Sequence, residues 1–227
     1  MAQRWNDLLF MHWPVAPEAI RPHIPAGVEL DLRDGQAWLS ITPFYLSHMR
    51  LRGAPPLPWL SEFLELNVRS YVVRDGKPGV FFFSLDAGKS LPVIGARLLY
   101  HLPYFRANMR IVHERDGIRY ESRRSHPGAQ GAELDVTYAP NGTVRTNAPG
   151  SLEHWLTERY CLYDVDGSDR LYRTEIHHRP WPLHDARVTI RRNTMAAASG
   201  LSVPDMAPRA EFAHCLDVVV WTPERVR

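Results

Sequence analysis

The chain is poor in the groups that do covalent amine, thiol or metal chemistry. Of its 27 basic residues only Lys77 and Lys89 are lysines, so a mechanism that forms an iminium has almost no nucleophile to use. Lys77 belongs to a turn and is expected to be solvated, whereas Lys89, after Gly88, is placed to approach a cavity mouth. Cys161 and Cys215 are the only cysteines and form no CxxC pair, which excludes a disulfide framework and a thiolate zinc site. Two isolated core thiols are expected. The 11 histidines include no HExxH spacing, and the adjacent His177 and His178 point to opposite sides of a strand, so no metal is expected. With neither a GxGxxG nor a Walker-type loop, no nucleotide cofactor is expected either. There is no 18-residue apolar run, and the opening MAQRWNDLLFMHW breaks any signal-like core with acid and histidine. A net charge of +2 spread over scattered arginines offers no basic face to nucleic acid. The expectation is a cytoplasmic protein with neither a nucleic-acid nor a membrane partner.

What is present suits a packed domain. An apolar share of 44% over 227 residues supplies a substantial core, and the 19 prolines are spread as punctuation instead of gathering in a linker, so one domain over 1–227 is expected. LLFMHW reads as a strand, and Pro17 opens a short helix that ends before Pro25. VELDL and QAWLSITPF follow as strands around Asp34-Gly35. The proline-rich stretch from Gly53 to Pro58 reads as a crossover or a rim loop. Ser90 to Tyr100 has helical spacing up to Pro103, and Ser151 is placed as the N-cap of a helix that buries Leu152, Trp155 and Leu156. ANMRIVHE, IRYESRRS, Ala132 to Tyr138, RLYRTEIHH, ARVTIRR and HCLDVVVW complete a strand-dominated α+β chain.

The strand ELNVRSYVV puts Glu65, Asn67, Arg69 and Tyr71 on one face and Leu66, Val68 and Val72 on the other. After the Asp75-Gly76-Lys77-Pro78 turn, GVFFFSLDA is expected to hold Ser84 and Asp86 in phase with Phe82, closing a hairpin. Such a charged face is either solvated or lines a lumen. Glu65 and Arg69, with an amide and a phenol beside them, furnish it better than solubility alone requires.

The segments HWPVAPEAIRPHIPAGVELD, DGQAWLSITPF, FLELNVRSYV, FFFSLDA, ARLLYHLPYFRA, GSLEHWLTERYCLY and HHRPWPL, in this order, resemble the uncharacterised YqjF-like family of the acetoacetate-decarboxylase-like superfamily. The resemblance implies a cone-shaped β-barrel with flanking strands, a few short helices and a ligand cavity inside. It also marks a departure. The decarboxylases carry Gly-Arg-Glu followed by Pro-Lys-Lys, the first lysine forming the Schiff base and the second helping to lower its pKa. Here the corresponding residues are Ala96-Arg97-Leu98 and Pro103-Tyr104-Phe105, so both lysines are missing. A cavity-facing glutamate of the family falls on Glu65, a second acidic position falls on Ser40, and an amino-terminal arginine aligns loosely near Asn6.

A phenol cannot form an iminium, but Tyr104 can orient a ligand or act as an acid, with Glu65 as the base if burial raises its pKa and no arginine pairs with it. The opposing expectation is a structural Glu65–Arg69 ion pair. Asn67, Arg69, Arg97 and His101 are the candidate ligand-binding residues. His177, sharing a strand face with Arg173 and Glu175, is a further candidate, and Trp181 between two prolines is expected to plug a barrel end. Two arginines favour an anionic ligand, with a carboxylate first. The functional readings are a small-molecule-binding barrel for an organic acid or carbonyl compound, a lysine-independent lyase or isomerase using Glu65 and Tyr104, and a scaffold with a filled barrel. Homo-oligomerisation stays open.

Overall fold

A computed structural model describes residues 1–51, 53, 61–89 and 101–226. The expected Ser90–Tyr100 helix, Arg97 within it, and the prolines from Ala54 to Pro58 lie outside the described residues. Thirteen strands are present among the described residues: β1 Ala2–Val15, β2 Glu29–Leu30, β3 Ala37–Arg50, β4 Phe63–Arg74, β5 Lys77–Ala87, β6 Tyr104–Glu114, β7 Gly117–Arg124, β8 Glu133–Arg145, β9 Cys161–Val165, β10 Leu171–His178, β11 Leu183–Asn193, β12 Arg209–Val220 and β13 Glu224–Arg225. Among the described residues helix is confined to α1 Pro17–Ile20, α2 Leu152–Thr157 and two 3-10 turns, Arg21–His23 and Ala197–Ser199. Ser151 caps α2 as expected, its side chain accepting from the His154 amide at 3.1 Å.

The ladder closes on itself twice. One circuit runs β5-β6-β7-β8-β11-β12-β1-β3-β4 and returns to β5; the other runs β5-β9-β10-β12-β1-β3-β4 and returns to β5. The strands β12, β1, β3, β4 and β5 are therefore shared between the circuits, and along most of β3 and β4 both faces are buried. On one face Leu9, Met11, Ile41, Leu66 and Val68 pack with Tyr120, Leu134 and Val136 into a filled core. On the other, Leu8, Phe10, Phe44 and Leu85 meet Leu162, Ile176 and Val220. This second face surrounds the cavity described below.

Turn chemistry sets the β4–β5 hairpin. Asp75 and Gly76 have φ of 50° and 71°, the two positive angles of a tight hairpin turn that suits the strand twist. Lys77, expected in solvent, instead reaches Glu175 on β10 at 2.6 Å and is 40% exposed. The hairpin also carries a bulge: Val68 pairs with Ser84, but Arg69 pairs with Phe82, leaving Phe83 as the extra residue. That insertion reverses the phase of β5. Phe82 and Leu85 face the cavity while Ser84 and Asp86 face the filled core, so the expected common face for Phe82, Ser84 and Asp86 is not formed.

Where β5 meets β9 in parallel, Gly79 permits the approach. A Cβ there would lie 2.8 Å from the Cys161 carbonyl oxygen and 2.9 Å from Tyr163 Cε2. Gly79→Ala is expected to cost about 1–3 kcal/mol, read from chemical denaturation, because neither backbone can yield without opening the second circuit. Cys161 is buried as expected, but Cys215 is exposed, since it falls on the outward face of β12.

Candidate functional site

The second circuit encloses a cavity of about 460 Å³. Its wall is mostly aromatic and aliphatic, with Trp5, Phe44, Phe82, Leu85, Ile176 and Trp181 among its members. Polar groups enter it chiefly from β4, whose alternation delivers Glu65, Asn67 and Arg69 to the lining as the sequence predicts. All three are at least nine-tenths buried. Tyr71, next on this face, is fully buried beyond Arg69.

Glu65 and Tyr104 come together. The Tyr104 hydroxyl donates to Glu65 Oε2 at 2.9 Å. Burial pushes the Glu65 pKa from the ordinary 4.5 up to about 7, against the opposing hydrogen bonds from Tyr104 and Asn67. Behind it, the Tyr120 hydroxyl donates to the Glu65 carbonyl at 2.8 Å and fixes the strand. A carboxyl group that holds its proton near neutral pH, beside a phenol, can donate to a ligand oxygen or exchange a proton with it.

The expected Glu65–Arg69 ion pair is not formed. Arg69 Nε and Nη2 have no hydrogen-bond partner among the described residues, and its guanidinium lies 5.3 Å over the Phe10 ring. Burial lowers its pKa, the neighbouring Tyr71 opposes this, and the charge of Arg159 lowers it further. Close to Arg69, His12 Nδ1 is 3.0 Å from the Tyr71 hydroxyl, and burial together with the Arg69 charge holds its pKa well below the usual value. The histidine therefore stays neutral beside the arginine.

Sequence reading missed Arg159, which lines the same cavity and is 6% exposed. Its Nε donates to the Trp155 carbonyl at 2.7 Å, its Nη1 pairs with Asp31, and its Nη2 has no partner among the described residues. The guanidinium sits 5.0 Å from the Tyr71 ring and 4.4 Å from that of Trp155. No periodicity pointed to it, because it lies in the short segment between α2 and β9. A buried arginine there becomes visible only once the loop folds over the end of the lumen.

Three other expectations are corrected. His177 is exposed and it is His178 that lines the cavity, because Ile176 and His178 occupy the inward positions of β10. His101 lies outside this lining, in a neighbouring cleft of about 340 Å³, where its Nδ1 is 3.3 Å from Asp164 Oδ1. Trp181 is a buried wall residue, its ring 5.9 Å from Trp5 and 5.0 Å from Phe10, more than a plug at an end. Lys89 is half-buried and neither lysine lines the cavity. No group of three metal-ligating side chains occurs among the described residues, and no described helix is long and apolar enough to cross a membrane.

Comparison with known proteins gives concordant matches. A family described as an uncharacterized conserved protein, DUF2071, matches residues 2–217. The uncharacterized protein YqjF of Bacillus subtilis (strain 168) is 43% identical over 221 residues, covering 97% of this chain and 90% of its own. Among solved structures, the enduracididine biosynthesis enzyme MppR with HEPES buffer bound is similar at a TM-score of 0.69 and 13% identity, covering 99% of this chain and 87% of its own. The same enzyme complexed with pyruvate gives 0.67 at 14% identity, with 99% and 89% covered. Acetoacetate decarboxylase from Legionella pneumophila gives 0.64 at 13% identity, with 100% and 88% covered. At such identities the structural likeness speaks for the fold alone.

Proposed function

Since the chain belongs to the DUF2071 family and has an acetoacetate-decarboxylase-like fold, we propose that its interior cavity binds a small organic acid or carbonyl compound without Schiff-base chemistry. The observation that carries this reading is the cavity itself. Its volume, about 460 Å³, falls in the range of small-molecule sites, roughly 300–1,000 Å³, and it joins an apolar wall to a few convergent polar groups. One of those groups, Arg69, is a buried cation whose charge no described carboxylate offsets. Leaving a charge in that condition costs several kcal/mol, and a ligand carboxylate would recover part of it. The absence of lysine from the wall argues against an iminium.

A thermal-shift screen against keto acids, hydroxy acids and aromatic carboxylates tests the reading. A ligand present at a hundred times its Kd is expected to stabilise the protein by about 2.7 kcal/mol, with a matching rise in Tm. If no compound raises Tm and calorimetry detects no heat, the reading is wrong. Borohydride reduction in the presence of pyruvate is expected to leave Lys77 and Lys89 unmodified by mass spectrometry; an adduct on either would restore amine catalysis.

A second reading is favoured by the 2.9 Å contact between Tyr104 and Glu65. A carboxyl group with a pKa of about 7 and a phenol in contact with it are suited to proton transfer next to a carbonyl, as a lysine-independent lyase or isomerase requires. Under this reading Glu65→Gln abolishes turnover of a compound that the variant still binds. Exchange of solvent deuterium into a bound ketone, followed by NMR, would distinguish such an enzyme from a binding protein.

A further inference from the structure

Resting on the reading of the cavity as an organic-acid site, we propose that its ligand is an elongated, largely apolar monocarboxylate, held by its carboxylate at Arg69 and Arg159 and by an oxygen function at the far end at Glu65 and Tyr104. The register of the shared strands sets the two poles apart. Across β3, β4 and β5 the rungs are Phe44–Glu65–Ala87, then Thr42–Asn67–Leu85, then Ser40–Arg69–Phe82. Glu65 and Arg69 are thus four residues apart on a strand whose own spacing is regular, the bulge being on β5. At about 3.3 Å per residue the separation is about 13 Å along β4.

Arg69 does not fold back across that distance. Its guanidinium is 5.3 Å over the Phe10 ring and hydrogen-bonded to Tyr71, the next inward residue of β4 beyond Arg69, and Arg159 approaches the same Tyr71 ring. One end of the cavity therefore gathers two guanidinium groups against a single paired carboxylate, Asp31, with the neighbouring His12 neutral. Donors on both arginines have no partner among the described residues. The other end presents the hydroxyl of Tyr104 and the Glu65 carboxyl. Between the poles the wall is apolar, contributed by Phe82, Leu85, Ile176 and Trp181, with Asn67 and Thr42 halfway.

A short keto acid carries its carboxylate and carbonyl on neighbouring carbons and can engage only one pole. It would leave most of the apolar wall uncovered. A chain of about eight carbons spans the rungs, and each methylene buried adds about 0.8 kcal/mol before ordering costs. The same geometry disfavours a dicarboxylate, since a second charge would have to sit beside the Glu65 carboxyl.

Calorimetric titration at pH 6 with pyruvate, octanoate, 8-hydroxyoctanoate and 1-octanol tests the proposal. Octanoate is expected to bind at least tenfold more tightly than pyruvate and than octanol. 8-Hydroxyoctanoate is expected to gain further over octanoate in the wild type and to lose that gain in Tyr104→Phe. Arg69→Met is expected to erase the advantage of acid over alcohol while octanol binding persists; should that variant fail to fold, the octanoate–octanol comparison in the wild type decides the point. Pyruvate binding more tightly than octanoate would overturn the elongated ligand and leave the organic-acid reading standing. Equal affinity for octanoate and octanol would overturn the anion pole. Failure of every compound, pyruvate included, would remove the underlying reading with it.

Discussion

Asp86→Ala is expected to cost the fold about 3–5 kcal/mol, measured as a drop in the urea midpoint at unchanged m-value, because it strands a cation inside the larger circuit of strands. Arg124 reaches Asp86 through both Nε and Nη2, at 3.0 and 2.7 Å, and the two side chains are 2% and 0% exposed. Arg124 also covers the Phe105 ring, 4.0 Å from its centroid. Burial raises the Asp86 pKa while Arg124 opposes it, so the pair is held by geometry against a large desolvation cost. Removing both members, in Asp86→Ala with Arg124→Met, should restore much of the loss, since it is the uncompensated charge that is costly. A double variant no more stable than Asp86→Ala would show that packing at this point, and not charge, accounts for the effect. The pair ties β5 to β7 directly behind the wall that carries Leu85, so loss of ligand binding in the single variant is expected to follow loss of stability.

Glu65→Gln is expected to flatten the pH dependence of stability. The folded protein holds a proton on Glu65 up to about pH 7, whereas the unfolded chain releases it near 4.5. Over that window the folded state binds more protons, so wild-type stability falls as pH rises and the loss is complete above about pH 7. At about 1.4 kcal/mol per pKa unit the change is on the order of 3 kcal/mol. Glutamine keeps an acceptor for Tyr104 and carries no charge, so relative to wild type the variant should gain that amount between pH 5 and pH 8. Glu211 is also pushed up to about 7 by burial, and Asp164 to about 6, so the wild-type profile alone is composite. The difference between the two profiles isolates Glu65. Parallel melting curves across that range would mean that Glu65 is ionised in the folded state, and its role as a proton donor to ligand would fall.

The legibility of this chain follows from the period of its strands. Alternation in β4 was enough to place Glu65, Asn67 and Arg69 on one face, because side chains alternate sides along a strand. The same rule failed on β5, where one extra residue at Phe83 reversed the phase of Ser84 and Asp86, and a bulge leaves no mark in composition. It failed on β10 for a different reason. The sequence candidate was His177, on the face of Arg173 and Glu175, and only the closure of β10 against β9 and β12 turned the other face, with His178, inward. The contact of Tyr104 with Glu65 at 2.9 Å came only from the structure, although both residues were legible as candidates from the resemblance. Arg159 was not, for an arginine outside any periodic element carries no signal of burial.

By itself the sequence determined that strands dominate, which face of β4 is polar, where the tight turns fall and that lysine occurs only twice, since these depend on composition or on residues near one another in the chain. Whether that polar face meets water or a cavity, whether Glu65 pairs with Arg69 or with Tyr104, and which second cation stands beside Arg69 were decided only by tertiary structure. The physical reason is that pKa, pairing and desolvation depend on what lies across the lumen. Those neighbours arrive from strands and loops as distant in the chain as Val220, which lines the same cavity.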